Sequence, residues 1–471
     1  MYKEQKEMKQ AVVRLSSLKL TNIKNVKSGI IYMPNTTNKV LSADVSEILG
    51  IYGQNGSGKT AIIDAMYFMQ KVMVGFGLDN SLVDYIGIDS DNAEIFADFN
   101  IFVENVIYEV GYRLCISRKD KDIVISRETL STARNENGIR SNKTVFMDYQ
   151  RDLKDNIFKP KNRLDEIFEV NKEIKTDLIV ARKMAEKSNC SYIFGESSRE
   201  IFCREYDNNF AQYSFIISSL FEFALKDLFV IRNTHSGVIS ANFVLPMAFR
   251  IENDNVGAKG DFAVPLTEPI VLDEERKTLL EMIVKQINTV LYTIIPGLHV
   301  VIKDYGKQST DDGEDGWKLE LMSMRDGMKE IPIRMESEGI IKLISILNVL
   351  IQAFGNPSIC LVIDELDAGI FEYMLGELLD IFKKSAKGQL IFTSHNLRAL
   401  EMLDKESIMF STTNPNNRYI HMRNVRESNN LRSMYIRSIT LGGQSEEIYE
   451  ETDSLKIARA FRKAGRGIRN E

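Results

Sequence analysis

Residues Gly53-Gln54-Asn55-Gly56-Ser57-Gly58-Lys59-Thr60 satisfy every fixed position of the pattern GxxxxGK[ST]. No other feature of the chain constrains its fold as tightly. Gly53, Gly56 and Gly58, with Asn55 and Ser57 between them, let backbone N–H groups turn inward around phosphate oxygens. A helix opening at Lys59 adds the positive end of its dipole. Lys59 is then placed to reach β- and γ-phosphates, and the Thr60 hydroxyl to ligate Mg²⁺. The apolar run Glu47 to Tyr52 leads straight into the loop, and an amphipathic stretch from Lys59 to about Val74 leaves it. A glycine turn without a ligand is the plain alternative, and this strand–loop–helix context argues against it.

A phosphate cradle needs carboxylates nearby, and one segment offers them. Ser358-Ile359-Cys360-Leu361-Val362-Ile363-Asp364-Glu365 is an apolar run ending in two acids, the pattern of a buried parallel strand that delivers carboxylates at its C-terminal edge. Asp364 is expected to orient Mg²⁺ and its water, and Glu365 to polarise an attacking water. Thr393-Ser394-His395-Asn396 ends the next expected strand, one strand–helix–strand step later. His395 is therefore expected beside the carboxylates, within reach of a γ-phosphate. Ser337-Glu338-Gly339 opens a further helix; such a turn is either an anion-binding helix start or a plain cap by Ser337.

Around these motifs the periodicity alternates between two regimes. Val13, Leu15, Leu18 and Leu20, then Ile30 and Tyr32, read as a strand pair. Ile95 to Val103 and Val106 to Cys115 read as a hairpin broken at Glu104-Asn105, with another β run at Ile123 to Ile125. From about 145 to 275 the regularity fades: a charged helical stretch, Leu164 to Lys187, an apolar helix, Phe210 to Phe229, and a Gly/Asn/Asp-rich stretch near 252 to 261 suggest a largely helical insertion. A helical face from Leu279 to Ile294, strands at His299 to Lys303 and Trp317 to Ser323, and an all-round apolar helix after Gly339 restore it. A strand–helix–strand unit from Ile359 to Thr393 completes the α/β pattern.

Composition excludes little but is consistent with this reading. The chain has 471 residues, 44% hydrophobic, with 60 basic against 66 acidic residues and a net charge of −6. That balance gives no global attraction to nucleic acid or anionic membrane. Cys115, Cys190, Cys203 and Cys360 stand too far apart for a zinc site or a disulfide framework, which fits a reducing cytoplasm. MYKEQKEMKQ lacks the apolar core of a signal peptide, and no segment reads as a membrane span, so no membrane role is expected. One basic run, Lys456, Arg459, Arg462, Lys463, Arg466 and Arg469, reads as a solvated helical tail or as a contact for nucleic acid or a partner.

The order of glycine loop, SEG turn, Asp-Glu strand and SHN strand end resembles the ABC-type ATPase heads of the RecF, SMC and OLD proteins. It is most similar to the compact standalone bacterial AAA ATPases, often called ATP/GTP phosphatases, that accompany abortive-infection and other anti-phage operons. Leu18-Lys19-Leu20-Thr21-Asn22-Ile23-Lys24-Asn25 also resembles their first strand and turn. The likeness covers about residues 13 to 130 and 275 to 410.

It implies an α/β P-loop NTPase: an ABC-type ATPase head with an antiparallel β lobe and a mostly helical insertion. The implied division is an N-terminal half of the ATPase domain at 1–144, an insertion at 145–275, a C-terminal half at 276–410 and an extension at 411–471. It places a signature motif on Ser337, Glu338 and Gly339, a Walker B pair on Asp364 and Glu365, a D-loop on Leu366 to Ile370, and a switch histidine on His395. ATP and Mg²⁺ are the implied ligands.

Such heads sandwich ATP between two copies, so the resemblance implies a homodimer or larger assembly, and an effector on a separate chain if the setting is defence. A repair or recombination ATPase that engages DNA, and a nucleotide-gated scaffold with little turnover, are the competing roles. Several positions depart from the family pattern. The signature reads SEG rather than SGG, Asp367-Ala368-Gly369-Ile370-Phe371 replaces the usual small/Leu/His stretch, and only Gln70 and Gln150 offer themselves as a Q-loop glutamine. No NKxD-type motif favours GTP, and the two Walker motifs are too far apart for an AAA+ ring.

Overall fold

The computed structural model describes residues 11–37, 42–78, 80–119, 122–153, 157–160, 174–204, 206, 209–233, 244–253, 256–309, 313, 315–423 and 430–467. The leading MYKEQKEMKQ, the first half of the charged stretch expected at Leu164 to Lys187, and Arg469 lie outside them.

The first part of the chain forms β1 (Val12–Ile23), β2 (Val26–Tyr32), β3 (Glu47–Tyr52), α1 (Lys59–Val74), β4 (Asn92–Val103), β5 (Val106–Lys119), β6 (Asp122–Glu136), β7 (Ile139–Arg140) and β8 (Thr144–Gln150). The middle gives α2 (Ile174–Ser188), α3 (Glu196–Phe202), α4 (Ala211–Glu222), β9 (Leu228–Ile231), β10 (Val244–Asn253), β11 (Val256–Pro265) and β12 (Ile270–Leu272). Then come α5 (Glu274–Ile294), β13 (Leu298–Ser309), β14 (Asp315–Arg325), β15 (Ile331–Pro332), α6 (Glu338–Gly355), β16 (Cys360–Ile363), α7 (Glu372–Ser385) and β17 (Gln389–Thr393). The chain closes with α8 (Ala399–Met402), β18 (Ile408–Ser411), β19 (Tyr419–Ile420), α9 (Leu431–Leu441) and α10 (Ser454–Gly467).

Two large sheets organise the molecule. A seven-stranded antiparallel sheet runs β2-β1-β4-β5-β6-β7, with β8 also on β6. A six-stranded sheet runs β19-β18-β3-β17-β16-β9. In it β18, β3, β17, β16 and β9 are all parallel, and β19 is an antiparallel edge. A two-residue break at Glu104 and Asn105 joins β4 to β5, with Glu104 at φ 51°, so the hairpin expected there forms.

The parallel strands are short and mostly apolar, with Glu47, Gln389, Thr393 and Ser411 at their ends, because both their faces are covered. Successive side chains point to opposite sides. Leu49, Ile51, Cys360, Val362, Ile391 and Met409 join one core with α1 and the antiparallel sheet. Ile48, Tyr52, Leu361, Ile363, Leu390, Phe392 and Phe410 join a second core with α5, α6 and α7. Parallel strands end at one edge. The C-termini of β3, β16, β17 and β9 therefore deliver Gly53, Asp364, Ser394 and Arg232 side by side, although they come from distant parts of the sequence.

α6 is the one helix among the described residues long and apolar enough to cross a membrane, with a mean hydropathy of 1.5, and 67% of it is buried within the protein. It is the buried helix expected after Gly339. Cys360 is a core residue, and all four cysteines are free thiols.

Segment 145–275 differs from the mainly helical expectation. Its described residues hold α2, α3 and α4 but also most of β8 and all of β9, β10, β11 and β12. The apolar helix expected to reach Phe229 stops sooner: α4 passes at Phe223 into one π turn, and the chain becomes strand at Leu228. A continuous apolar run does not separate a buried helix from a buried strand. β9 belongs to the parallel sheet beside β16, so the segment builds part of the core it interrupts.

Candidate active site

Gly53 sits at φ 151°, and a Cβ there would lie 2.0 Å from Ser411 Oγ, so no side chain fits where the loop leaves β3. Gly58 caps α1 in the left-handed conformation at φ 89°. Ser57 Oγ lies 2.7 Å from Gln54 O and beside Ser411 Oγ, which lies 3.0 Å from Tyr52 O, so the two hydroxyl protons are shared among these oxygens. Asn25 Nδ2 donates to Gly56 O, Arg418 Nη2 to Asn25 O over 2.6 Å, and Tyr419 OH to Gly58 O over 2.7 Å. The β1–β2 turn and the β18–β19 segment thus hold the loop from both sides. Lys59 Nζ donates to Gly53 O at 2.8 Å and Gln54 O at 3.0 Å, folding its ammonium into the concavity of the loop. Burial pulls its pKa down, against the pull of Asp364, Glu365 and Asp367.

Asp364 is buried, and Thr393 Oγ1 donates to its Oδ1 over 2.6 Å. Burial holds its carboxyl above the usual value, and the Thr393 hydrogen bond partly offsets this. The same hydroxyl accepts the N–H of Glu365 over 2.7 Å, and Lys342 Nζ donates to the Glu365 carbonyl. Glu365 adopts φ 49°, a left-handed backbone that costs a non-glycine residue about 1–2 kcal/mol. Bonds at both its N–H and its C=O fix that conformation, as an over-determined strained residue requires. Asn233 Nδ2, just past β9, donates to Glu365 Oε2 over 3.0 Å and orients the carboxylate.

The backbone N–H of His395 donates to Asp367 Oδ2 over 3.0 Å. Burial, then the Lys59 cation, lowers the imidazole pKa, so the ring is neutral at pH 7. Lys24, Asn25, Asn55, Gly56, Gly58, Lys59, Thr60, Asp364, Glu365, Thr393 and His395 line one open cleft of about 330 Å³. On its flank Asp64 pairs with Lys24 and with Arg232, the latter at 3.1 Å.

Glycine loop, acid pair and histidine, expected from separate motifs, therefore share one cleft. The third motif lies apart. Ser337 caps α6 and Glu338 is exposed, and neither lines the cleft. Gly339 is packed so tightly against the turn after Glu365 that a Cβ would fall 1.7 Å from Gly369 O. Neither glutamine candidate reaches the cleft. Gln70 Nε2 ties α1 to Ala224 O and Leu228 O, and Gln150 Nε2 bonds Asp148. The side-chain amide that meets the carboxylate belongs to Asn233.

The motif reading also passed over Thr393, Lys342, Ser411, Arg418 and Tyr419. Thr393 and Lys342 stand within a few residues of motifs and carry polarity on otherwise buried elements, which is a usable signal. Ser411, Arg418 and Tyr419 reach the loop across more than 350 positions and leave no local trace.

The residues fit a magnesium nucleotide. Among the described residues no group of three or more His, Cys, Asp and Glu side chains is arranged to hold a metal by itself. With the Thr393 hydroxyl already engaged by Asp364 and Glu365, the cleft offers the Thr60 hydroxyl and the buried Asp364 carboxylate, which leaves the other positions of a Mg²⁺ ion to phosphate oxygens and water, the usual arrangement for this ion.

No family model and no curated protein matches the sequence. Solved structures similar to the chain include the Smc head domain with a coiled coil and joint from Pyrococcus yayanosii, at 13% identity and a TM-score of 0.40, covering 90% of this chain and 99% of that one. The SMC head domain from Thermotoga maritima matches at 12% identity and a TM-score of 0.36, covering 87% and 99%. The recombination mediator protein RecF with ATP, of the RecFOR pathway, matches at 11% identity and a TM-score of 0.32, covering 82% and 94%. These similar structures are SMC heads and RecF.

Proposed function

We propose that the chain is an ABC-type ATPase that binds ATP with Mg²⁺, hydrolyses it to ADP and phosphate, and does so between two copies of itself. The observation that carries the reading is the single cleft uniting Lys59, Thr60, Asp364, Glu365 and His395 while Ser337 and Glu338 stand exposed outside it. A helix N-terminus carrying Ser337 is an anion-binding feature with no phosphate site of its own in this cleft. In a pair of copies it meets the γ-phosphate held by the other copy's loop.

In this scheme the N–H groups of the glycine loop and the Lys59 ammonium hold the phosphates. Thr60 and Asp364 would hold Mg²⁺, which when bound would supply positive charge against the phosphates. Glu365 orients a water and accepts its proton as oxygen attacks the γ-phosphorus. The bond from that phosphorus to the β–γ bridging oxygen breaks, and ADP leaves. Neutral His395 donates a hydrogen bond to the γ-phosphate. The sequence resemblance supports a setting in an anti-phage module, with this chain as sensor or regulator and an effector in trans.

Two variants test the site. Lys59→Ala is expected to abolish ATP binding; unchanged affinity would overturn the loop's assignment. Glu365→Gln is expected to bind ATP without turnover and to accumulate as a dimer by light scattering. A monomer saturated with ATP would refute the pairing.

A further inference from the structure

Among the described residues, α10 is exposed along nearly its whole length. Asp453 Oδ1 caps its start by accepting the N–H groups of Leu455 and Lys456. At helical spacing Ile457, Ala460, Phe461 and Ala464 share one face, and Lys456, Arg459, Arg462 and Lys463 the other. Yet Phe461 is 76% exposed and Ile457 44%. A helix of 14 residues is marginal in water by itself, so a sorted apolar face implies a surface that covers it. Its root is fixed. Ile448 is buried, and the Glu450 N–H donates to Gln54 Oε1 over 2.9 Å, so the helix springs from the glycine loop itself.

A matching surface lies beside the exposed signature turn. Gly339 and Gly369 touch, bringing α6's start against the turn that precedes α7. Around that contact Met335 is 69% exposed, Phe371 67% and Tyr373 55%, with exposed Glu338 and Glu372 among them. Phe371 and Tyr373 have ring centroids 5.7 Å apart, and Arg398, which shares Glu401 with Arg432, covers one face of the Tyr373 ring at 4.9 Å. With the whole chain at −6, setting aside this helix's +5 leaves −11 on the rest, so the charges are complementary.

We propose that α10 of one copy docks on the Met335, Phe371 and Tyr373 surface of a second copy, clasping the nucleotide-bridged pair. Ile457 and Phe461 seat on the apolar residues, and Lys456 and Arg459 meet Glu372 and Glu338. The inference rests on the pairing proposed above, which opposes the glycine loop of one copy to the signature turn of the other and so brings root and target together. The face is ill suited to other occupants. Two of its four apolar positions, Ala460 and Ala464, are alanines that add little apolar area for lipid, and nucleic acid would take the cations while leaving Phe461 in water.

Mixing two differently tagged Glu365→Gln chains, one carrying Phe461→Cys and the other Phe371→Cys, with a short bismaleimide tests the contact. An interchain product that requires ATP is expected. Separately, Phe461→Asp in the Glu365→Gln background is expected to shorten the lifetime of the ATP-bound dimer by about tenfold or more, as loss of an aromatic anchor does. Light scattering separates the failures. A dimer that forms with ATP but gives no interchain product, or keeps its lifetime in Phe461→Asp, overturns the docking and leaves the pairing intact. Absence of any ATP-dependent dimer overturns both.

Discussion

Thr393→Val removes one hydroxyl from the centre of the cleft while keeping the shape of the side chain. Thr393 is wholly buried, and its Oγ1 serves two partners at once, donating to Asp364 Oδ1 at 2.6 Å and accepting from the Glu365 N–H at 2.7 Å. Valine leaves that N–H without a partner and takes from the carboxylate its main hydrogen bond. A stranded buried donor costs about 1–3 kcal/mol and a lost bond to a charged group about 1.5–3 kcal/mol; the two share one atom, so about 2–4 kcal/mol is expected rather than their sum. The variant should therefore unfold at clearly lower urea than wild type, while Thr393→Ser, which keeps the oxygen, should recover most of the difference.

The same change has a pH signature. Burial already raises the Asp364 pKa, and the Thr393 bond is the foremost influence opposing it, so valine moves the pKa further up. Only the carboxylate form can hold Mg²⁺. The acid limb of ATP turnover is thus expected at higher pH in Thr393→Val, with the loss shrinking as pH rises. A carboxyl whose pKa is raised by folding contributes stability below its unfolded value and loses it as pH rises through the folded value. The window over which this group's contribution declines with pH should likewise extend upward in the variant. A valine variant with wild-type urea resistance and an unmoved acid limb would refute the bridging role of Thr393.

Gly339→Ala places a methyl 1.7 Å from Gly369 O, so backbone must move; a loss of about 1–3 kcal/mol is expected in urea unfolding, and a neutral substitution would mean that the α6 contact is looser than described. Lys342→Met keeps the length of the side chain but releases the Glu365 carbonyl. ATP binding should survive while turnover falls about tenfold or more, because small displacements of a reacting group cost that much; wild-type turnover would show that Glu365 is held without it. His395 should titrate below 6.5 by NMR, and its midpoint should rise in Lys59→Ala, since the Lys59 cation helps to lower it; a midpoint that stays put would exclude that proximity.

What the sequence revealed of this site followed from how locally each part is built. A glycine loop, an apolar strand ending in Asp364-Glu365 and a histidine at a strand end are each short segments whose composition states their job. Parallel pairing then makes their proximity predictable, because it puts strand C-termini on one edge. β9 had no such signature. Four apolar residues at the end of a longer apolar run do not announce a change from helix to strand, so Asn233 was missed with it. Ser411, Arg418 and Tyr419 fall in a tail whose place beside the loop is decided by the edge pairing of β18 with β3 and β19 with β18. The SEG turn was legible as a helix start, but only the structure shows it outside the cleft.

That separation of Ser337 from the cleft is less complete than exposure alone implies. Gly339 packs on Gly369, and one turn further along α6 Lys342 donates to the carbonyl of Glu365. Both contacts fall within the turn from Glu365 to Gly369, whose Asp367 also accepts the His395 N–H. The start of α6, the Glu365 carboxylate and the histidine strand end are thus bolted to five consecutive residues. The Glu365 backbone, at φ 49°, is held by Thr393 at its N–H and by Lys342 and the Ala368 N–H at its C=O. A rigid helix cannot shift at its N-terminus without moving Lys342, and Lys342 cannot move without loosening its bond to that carbonyl. The exposed Ser337 turn is consequently tied through α6 to the geometry of the carboxylate in its own chain's cleft.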